Sequence, residues 1–260
     1  MKNNIKKFLL ATVAKSDSKK RMLRRMILRA IGLLPISAHR VLELSGSDKH
    51  RSGRHQYGYV YNDLFKNLKY RRLKLLEIGI GGYNSPNGGS SLLAWEAYFP
   101  RAKIVGCDLY PKEGLETRRT KIYKIDQSSS SDLSALVRQE GMFDIIIDDG
   151  SHLNRHQIFT FEAIFESLKS GGVYVVEDVC TSYWRNQLWD GEHVESDQFR
   201  KTCVGYFLHL AKYINHVEIP TFVNKDEKAV AYATNIKSIS FYHNIIVGRL
   251  QKPLGKSAID

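Results

Sequence analysis

Residues 73–82, "LKLLEIGIGG", join a mostly apolar run to a loop that contains Gly79, Gly81 and Gly82. The run is typical of a buried β-strand, and glycines let backbone N–H groups approach a ligand closely. An apolar strand followed by a helical pattern recurs along the chain, which predicts a parallel sheet with helices on both faces. The predicted strands are residues 73–78, 103–108, 121–126, 143–148 and 172–178.

The remaining patterns complete this α/β organisation. Helical patterns lie near residues 90–99, 131–140, 155–169 and 196–214. The final stretch "SISFYHNIIVGRL" predicts two strands joined at His243-Asn244. A chain of 260 residues, 43% of them hydrophobic, can bury one sizeable core. We therefore predict a basic helical arm over residues 1–44 and one domain over 45–260, with a mostly parallel seven-stranded sheet.

Several cellular locations can be weighed from the same sequence. No apolar run approaches the roughly 20 residues that a membrane-spanning helix needs. Lysines before Phe8–Ala14 imitate a signal peptide, but this uncharged run has seven residues, so we expect the segment to be retained. The three cysteines, Cys107, Cys180 and Cys203, form no C-x-x-C pair. This favours reduced thiols in the cytoplasm over a structural zinc site.

The net charge of +12 is concentrated near the beginning of the chain, where residues 1–56 account for +11. Within this region, residues 18–35 predict an amphipathic helix. Its apolar face would contain Met22, Leu23, Met26, Ile27, Ala30, Ile31 and Leu34, and most of its lysines and arginines would face solvent. Such a helix could dock on its own domain or on a second subunit. Contact with an anionic membrane through residues 19–34, or with nucleic acid, is an alternative.

The carboxyl ends of the first strands suggest a cofactor without phosphates. The dinucleotide pattern G-x-G-x-x-G fails because position 84 is Asn, and the next helix begins only near Ser90. Acidic residues at strand ends can instead accept the hydroxyls of a ribose and lie beside an adenine. This arrangement favours S-adenosylmethionine over a nicotinamide cofactor. The predicted cofactor-binding residues are Glu77, Gly79, Gly81, Asp108, Asp126 and Asp148, and the alternative for Asp148 is that it orients a neighbouring residue.

The fourth strand leads into "DDGSHLN", residues 148–154, which has two interpretations. Asp149, Ser151 or Asn154 could simply cap the next helix. However, the fifth strand ends in Glu177 and Asp178, and parallel neighbours would bring these carboxylates beside Asp149. A divalent cation would relieve their repulsion, and oxygen ligands suit Mg²⁺ or Mn²⁺ better than zinc. The predicted metal ligands are Asp149, Glu177 and Asp178.

The imidazole of His152 adds a general base to this predicted metal site. An alcohol attacks a methyl group poorly because its proton is held tightly. A metal ion lowers the pKa of a bound hydroxyl, and a nearby histidine can then remove the proton. We therefore predict that Asp149 and His152 are catalytic and that the acceptor carries two adjacent hydroxyls.

Four stretches carry a family resemblance that covers roughly residues 45–250. They are "SDKHRSGRHQYGYVYNDLF", "LLEIGIGGYNSPNGGSSLLAWEAYFPRAKIVGCDL", "FDIIIDDGSHLNRHQIFTFEAIFESLKSGGVYVVEDVCTSYW" and "ISFYHNIIV". Together they resemble the magnesium-dependent sugar O-methyltransferases of the macrocin and mycinamicin type. The resemblance implies a class I S-adenosylmethionine methyltransferase fold with helices on both faces of the sheet, a homo-oligomer, and a sugar hydroxyl as acceptor. It also implies the metal and base roles assigned above, and closure of the site by His55 and Tyr57.

The resemblance fades in two places that bear on the acceptor. The arm before residue 45 is shorter and more basic than in macrolide enzymes, and residues 185–236 show little similarity. A bacterial surface glycan or glycolipid is therefore as compatible as a glycosylated natural product. Two rival functions also remain: a hydroxylase or catechol-type O-methyltransferase, and an RNA-binding protein that uses the basic arm. We do not expect nucleic acid to be the partner.

Overall fold

The computed structural model describes residues 18–50, 55–84, 88–220 and 223–251. The apolar run Phe8–Ala14 and part of the segment predicted to close the site therefore lie outside the described residues. The described chain forms two units, one ending at Asp126 and the other beginning at Gln127.

The first unit contains three parallel strands in the order β3-β2-β1. Strand β3 ends two residues before the predicted end, so Asp126 lies in the loop that follows. Most of the helix α4 is buried, and its Trp95 packs against Tyr61 and Phe65 in an aromatic core. The elements of this unit are α1 (Ser18–Gly32), α2 (Ala38–Ser45), α3 (Tyr57–Phe65), β1 (Lys74–Ile78), α4 (Ser90–Tyr98), β2 (Lys103–Asp108) and β3 (Thr120–Lys124).

Helix α1 confirms the predicted element, but the prediction of which face is buried was wrong. Met22 and Met26 are 64% and 56% exposed, whereas Arg24 is only 5% exposed. The helix approaches α4 so closely at Gly32 that an added Cβ would lie 1.9 Å from the Ala97 carbonyl oxygen. The arginine face is therefore the face that docks on the rest of the unit. The predicted boundary between residues 44 and 45 falls inside α2.

The buried arginines are tolerated because each finds acceptors in the unit. Arg21, Arg24 and Arg25 donate to the backbone carbonyl oxygens of Glu113, Ser45 and Leu115, respectively. Arg25 and Arg29 also pair with Glu96, whose side chain is 1% exposed, at 3.1 and 2.5 Å. Burial by itself would raise the pKa of Glu96, but hydrogen bonds from Thr117 and Arg29 hold this pKa below its ordinary value.

Replacing Glu96 by Gln should lower the free energy of unfolding of the protein by about 3 kcal/mol, because two arginines lose a buried carboxylate partner. Since the pKa of Glu96 is lowered in the folded state, this stabilisation is present above the ordinary carboxyl pKa and is lost as the pH falls below it. Urea unfolding of both proteins across that pH range measures the effect. Asp63→Asn is the control, because its pair with Lys66 is exposed. Equal losses in the two variants would contradict the prediction.

The second unit contains a mixed sheet in the order β4-β5-β7-β6. Strands β4 and β5 are parallel, and β5–β7 and β7–β6 are antiparallel. The turn at His243-Asn244 is confirmed, and Asn244 has a φ of 62°. The elements of this unit are β4 (Phe143–Asp148), β5 (Leu168–Glu177), β6 (Ile236–Tyr242), β7 (Ile245–Leu250), α5 (Ser130–Glu140), α6 (Asn154–Ile164), α7 (Cys203–Ala211) and α8 (Glu227–Ala233).

Two helix predictions in this unit were too long. Helix α6 ends at Ile164, and a short 3-10 turn then leads into β5 at Leu168. The pattern over residues 196–214 divides into a 3-10 helix, Asp197–Lys201, and α7, which is capped by Thr202. The two units together supply the seven strands and flanking helices of the predicted α/β fold. Within the described part of the chain, no helix combines the length and apolarity needed to cross a bilayer.

Candidate functional site

The end of β4 contains a fully buried carboxyl group, that of Asp148. Its Oδ1 accepts hydrogen bonds from Gln127 Nε2 at 3.2 Å and from the backbone N–H of Gly150 at 3.3 Å. Its Oδ2 is buried without a hydrogen-bond partner among the described residues. Burial raises the pKa of Asp148 to about 7. This side chain is therefore placed to hold the turn that follows β4.

Gln127 connects that turn to its surroundings. Its Oε1 accepts from the backbone N–H of Ser151 at 2.6 Å, and its Nε2 also donates to Thr160 Oγ1 at 3.1 Å. At Gly150 an added Cβ would lie 1.9 Å from Gln127 Oε1, so a side chain there would displace this amide. The Gln127 amide therefore organises the turn from within the second unit.

The turn brings together Asp149, His152 and Asp178. One ligand atom from each of these half-buried residues lies within 4.8 Å of the others. His152 Nε2 is 3.6 Å from Asp178 Oδ2, and His152 Nδ1 is buried without a hydrogen-bond partner in the described structure. His152 and Asp178 both have positive φ, 58° and 53°. Such backbone strain in two non-glycine residues is characteristic of functional sites.

The parallel pairing of β4 and β5 explains why these residues meet. Asp148 lies opposite Val176, so the residues that follow the two strands emerge at the same edge. Two carboxylates and an imidazole form a donor set that fits a divalent cation, and Asp149 and Asp178 are the oxygen donors. Glu177 is buried at the end of β5, and its backbone carbonyl oxygen accepts from Gln157 Nε2. Its carboxylate is not part of this group of described side chains, so its metal role stays a prediction.

The start of α6 is capped from a distant loop rather than locally. Asp190 accepts hydrogen bonds from the backbone N–H groups of Asn154 at 2.7 Å and Arg155 at 3.1 Å. Burial by itself would raise the pKa of Asp190, but these hydrogen bonds hold this pKa below its usual value. Locally, Ser151 Oγ accepts from the N–H of Leu153, the residue before the helix, at 3.3 Å. Asp149 is thus not needed as the helix cap.

Asn154 contributes a second set of hydrogen bonds beneath the turn. Its Oδ1 accepts from Ser182 Oγ at 2.7 Å and from the backbone N–H of Cys203 at 2.8 Å. Its Nδ2 donates to the carbonyl oxygen of Thr181 at 3.3 Å. This amide fixes the segment after Asp178 relative to α6. Its polar type was apparent from sequence, but its partners were not.

The first unit contains the strand ends that were predicted to bind the cofactor. Glu77 is fully buried in β1, accepts from Ser91 Oγ at 2.9 Å and pairs with Lys49 Nζ at 3.4 Å. Lys49 is itself 2% exposed. Sequence reasoning missed this lysine because its partner is distant along the chain. Its charge offsets that of the buried Glu77 carboxylate.

The glycine loop after β1 is built for close backbone approach. Gly79 and Gly81 have φ of 79° and 73°, and an added Cβ at Gly81 would meet nothing within 4 Å. Asp108 accepts from the backbone N–H of Ile80 at 3.2 Å and lies 3.6 Å from Lys112 Nζ. Lys112 also donates to the Tyr83 carbonyl oxygen and thereby joins the glycine loop to the segment after β2. The carboxylate at the end of β2 therefore lies beside the glycine loop, and its role in cofactor binding stays a prediction.

The other predicted site residues of the first unit, Asp126, Tyr57 and His55, differ in how deeply they are buried. Asp126 is half-buried after β3. Tyr57 is 1% exposed at the start of α3, and the His55 ring packs against it edge to face at 5.4 Å between centroids. Tyr57 is thus a core residue, whereas His55 is half-buried beside the undescribed residues 51–54.

Comparisons with known proteins connect this geometry to a family, although no protein-family model matches the chain. The mycinamicin VI 2''-O-methyltransferase of Micromonospora griseorubida is 35% identical over 74% of this chain and 47% of its own length. A tetracenomycin rhamnosyl 2'-O-methyltransferase of Streptomyces olivaceus is 35% identical over 77% of this chain and 51% of its own length. The chain therefore spans about half the length of these relatives.

A solved structure of a methyltransferase is also similar to this chain. The mycinamicin-pathway methyltransferase MycE, in complex with Mg and SAH, superposes with a TM-score of 0.77 at 31% identity. The superposition covers 85% of this chain and 56% of that one. A second MycE structure, which also contains mycinamycin VI, gives a TM-score of 0.74 at 29% identity.

Proposed function

Because the chain is a homologue of sugar O-methyltransferases and has their class I methyltransferase fold, we propose that it transfers a methyl group from S-adenosylmethionine to a sugar hydroxyl with the help of Mg²⁺ or Mn²⁺. The observation that carries this proposal is the group formed by Asp149, His152 and Asp178 at the ends of two parallel strands. The MycE structures contain Mg and SAH, which supports the same pair of cofactors here.

The metal ion would be held by Asp149 and Asp178, with Glu177 as a further proposed ligand. When bound, the ion lowers the pKa of an acceptor hydroxyl and orients it. We propose that His152, whose Nε2 lies 3.6 Å from Asp178 Oδ2, accepts the hydroxyl proton at one imidazole nitrogen and that Asp178 stabilises the resulting imidazolium. Adjacent hydroxyls on the acceptor would fix which oxygen reacts. The positive φ at His152 and Asp178 is a local cost that the surrounding hydrogen bonds of Gln127 and Asn154 offset.

The cofactor would be bound by the loop and strand ends of the first unit. Gly79 and Gly81 would let backbone N–H groups approach the cofactor closely. The Asp108 carboxylate would accept hydrogen bonds from the ribose hydroxyls. Asp126 is proposed to lie beside the adenine. Glu77 is buried and paired with Lys49, so we propose that it supports the glycine loop through Ser91. We likewise propose that Asp148 acts through the turn that it holds rather than by touching the cofactor.

The acceptor is proposed to be the sugar of a glycosylated natural product or of a bacterial glycan. The test is incubation of the protein with S-adenosylmethionine, Mg²⁺ and a panel of glycosides that includes α-L-rhamnosides, followed by mass spectrometry. A product heavier by one CH₂ supports methyl transfer. A product heavier by one oxygen would instead establish the hydroxylase function. Methylation of catechols but of no glycoside would identify a catechol-type enzyme.

We further propose that the protein is a cytoplasmic homo-oligomer, with the exposed apolar face of α1 covered by a second copy. Met22, Leu23 and Met26 on this face are 45–64% exposed. The arginines of α1 are turned toward the protein, which leaves them poorly placed to attract an anionic membrane. Light scattering should therefore report a multiple of 29.8 kDa. Flotation of a monomer with anionic vesicles would favour the peripheral membrane alternative through residues 19–34.

A further inference from the structure

The three parallel strands of the first unit begin among basic side chains. Strand β1 follows Arg71 and Arg72, β2 begins at Lys103 shortly after Arg101, and β3 is preceded by Arg118. All of these side chains are exposed. We call the surface formed by Arg71, Arg72, Arg101, Lys103 and Arg118 the basic edge. It lies at the amino ends of the strands, whereas the glycine loop follows the carboxyl end of β1.

The pairing of the strands gathers these residues in one place. The backbone N–H of Lys103 donates to the Leu73 carbonyl oxygen at 2.9 Å, which sets the start of β2 beside the start of β1. The N–H of Ile104 donates to the Arg119 carbonyl oxygen at 2.7 Å, which sets the start of β3 beside β2. Neighbouring strands lie about 4.8 Å apart. The charges of the basic edge are therefore held close together by the sheet itself.

The basic edge has no acidic counterpart in the described part of the chain, where no carboxylate forms an ion pair with any of its side chains. Carboxylates a few residues away along the chain are each paired with a cation outside the basic edge: Glu77 with Lys49, Glu96 with Arg25, and Asp63 with Lys66. Like charges at such separations repel one another, even where water screens them. An anionic partner would relieve this repulsion.

Exposed apolar side chains continue the same surface. The hydroxyl of Tyr70, the residue before Arg71, donates to the backbone carbonyl oxygens of Leu33 and Leu34 at 3.4 and 3.5 Å. The buried Lys69 also donates to the Leu34 carbonyl oxygen. Leu33, Leu34 and Tyr70 are nevertheless 64%, 58% and 50% exposed. Their backbone is thus fixed beside the basic edge, while their apolar side chains face solvent.

This combination of side chains distinguishes between two kinds of anionic partner. A soluble polyanion is attracted by the basic residues alone and gains nothing from exposed leucines. At a lipid surface, leucines enter the boundary between headgroups and acyl chains, and a tyrosine remains at the level of the headgroups. Arginine and lysine side chains meanwhile reach the lipid phosphates. The surface therefore fits an anionic bilayer better than a dissolved polymer.

We propose that the basic edge, together with Leu33, Leu34 and Tyr70, docks the protein on an anionic lipid bilayer. The charges come from the strand starts and not from α1, whose arginines are turned toward the protein. The length of β1 separates the glycine loop from the basic edge by roughly 15 Å, so the loop remains open to water. This inference does not depend on the proposed methyl transfer.

Flotation of the full chain with vesicles of equal parts phosphatidylcholine and phosphatidylglycerol tests the charges. The protein should float with these vesicles, remain in solution with pure phosphatidylcholine, and dissociate as salt is added. Arg71→Gln with Arg72→Gln should weaken binding about 30-fold, because each basic residue at an anionic surface contributes about fivefold. Arg101→Gln with Lys103→Gln is a second variant with the same expected loss.

A matched pair of exposed basic residues in the second unit provides the control for charge. Arg200→Gln with Lys201→Gln removes the same charge from the 3-10 helix Asp197–Lys201 and should leave binding within about threefold of the wild-type value. Equal urea midpoints for all variants would show that the fold is intact. Equal losses in the variants of the basic edge and in the control would overturn the proposal, as would failure of the wild-type protein to float.

The leucines separate the bilayer from other anionic partners. Leu34→Ser should weaken flotation about fivefold, because one leucine no longer enters the acyl boundary, whereas Leu188→Ser, 76% exposed in the second unit, should not. If transfer RNA displaces the vesicles and Leu34→Ser binds both equally well, the surface recognises nucleic acid and the proposal is wrong. Release by inorganic phosphate, but not by sodium chloride of the same ionic strength, would indicate a free-phosphate site and would also contradict it.

Discussion

Replacing Asp149 by Asn is expected to lower kcat/KM for methyl transfer by about 10³-fold. Asp149 is one of two carboxylates within 4.8 Å of each other and of His152, so the change removes one of the negative charges that would hold a divalent cation. Lewis-acid activation of a hydroxyl is worth several kcal/mol, and about 4 kcal/mol corresponds to that loss in rate. Steady-state rates at several Mg²⁺ concentrations, with a glycoside identified by the methylation screen, measure the effect.

The matched control for Asp149 is Asp144→Asn, in the strand that precedes Asp149. Asp144 pairs with Lys169 at 2.7 Å near the surface, and its loss should leave the rate within about twofold because exposed pairs contribute little. Calorimetric binding of S-adenosylmethionine should be the same for both variants, since the cofactor-binding residues are proposed to lie in the first unit. Full activity of the wild-type protein in excess chelator would refute the metal role altogether.

The β-α alternation made the fold predictable from sequence. Strands that are buried on both faces are nearly continuous apolar runs, so β1, β2 and β4 were located to within one residue. Asp149 and Asp178 could be predicted to lie close together because parallel neighbouring strands end at one edge of the sheet. The ends of α6 and α7 were less predictable because their amphipathic patterns continue into 3-10 turns.

Helix α1 shows where reasoning from polarity fails. Arginine was assumed to face water, but a guanidinium can donate to several backbone carbonyl oxygens and still keep its charge. The choice of face was decided by partners that pattern analysis does not see: Glu96, the Leu115 carbonyl oxygen and the close contact at Gly32. Periodicity correctly identified the helix but not the side that the protein would bury.

The supporting residues of the candidate site were missed for a related reason. Lys49 and Glu77 are separated by more than one element of the chain, as are Asn154 and Asp190. Lys49 and Asp190 were visible only as ordinary polar residues, Glu77 only as a predicted cofactor-binding residue, and Asn154 only as a possible helix cap. Likewise, no sequence pattern foretold a positive φ at His152, because the strain is maintained by the bonds that Gln127 and Asn154 make nearby.

Replacing His152 by Ala should lower kcat by about 10³-fold, within the range that general-base catalysis contributes. The imidazole is the only histidine side chain in the group that the described structure forms with Asp149 and Asp178. Its removal leaves the hydroxyl proton without a nearby acceptor other than the carboxylates themselves. Turnover under saturating S-adenosylmethionine and acceptor measures the loss, and added imidazole should restore part of the rate.

The position of His152 within the metal group makes a second measurement decisive. If His152 acts as the base, His152→Ala should bind Mn²⁺ with a Kd within about twofold of the wild-type value, whereas loss of a ligand weakens binding about tenfold or more. The control is His156→Ala, which removes the nearest histidine along the chain, 2.9 Å from Ser151 Oγ, and should retain most of the rate. Unchanged turnover in His152→Ala, or a comparable loss in His156→Ala, would transfer the base role away from His152. Since Asp149 and Asp178 keep their carboxylates in both variants, intact Mn²⁺ binding with lost turnover assigns His152 to the proton rather than to the ion.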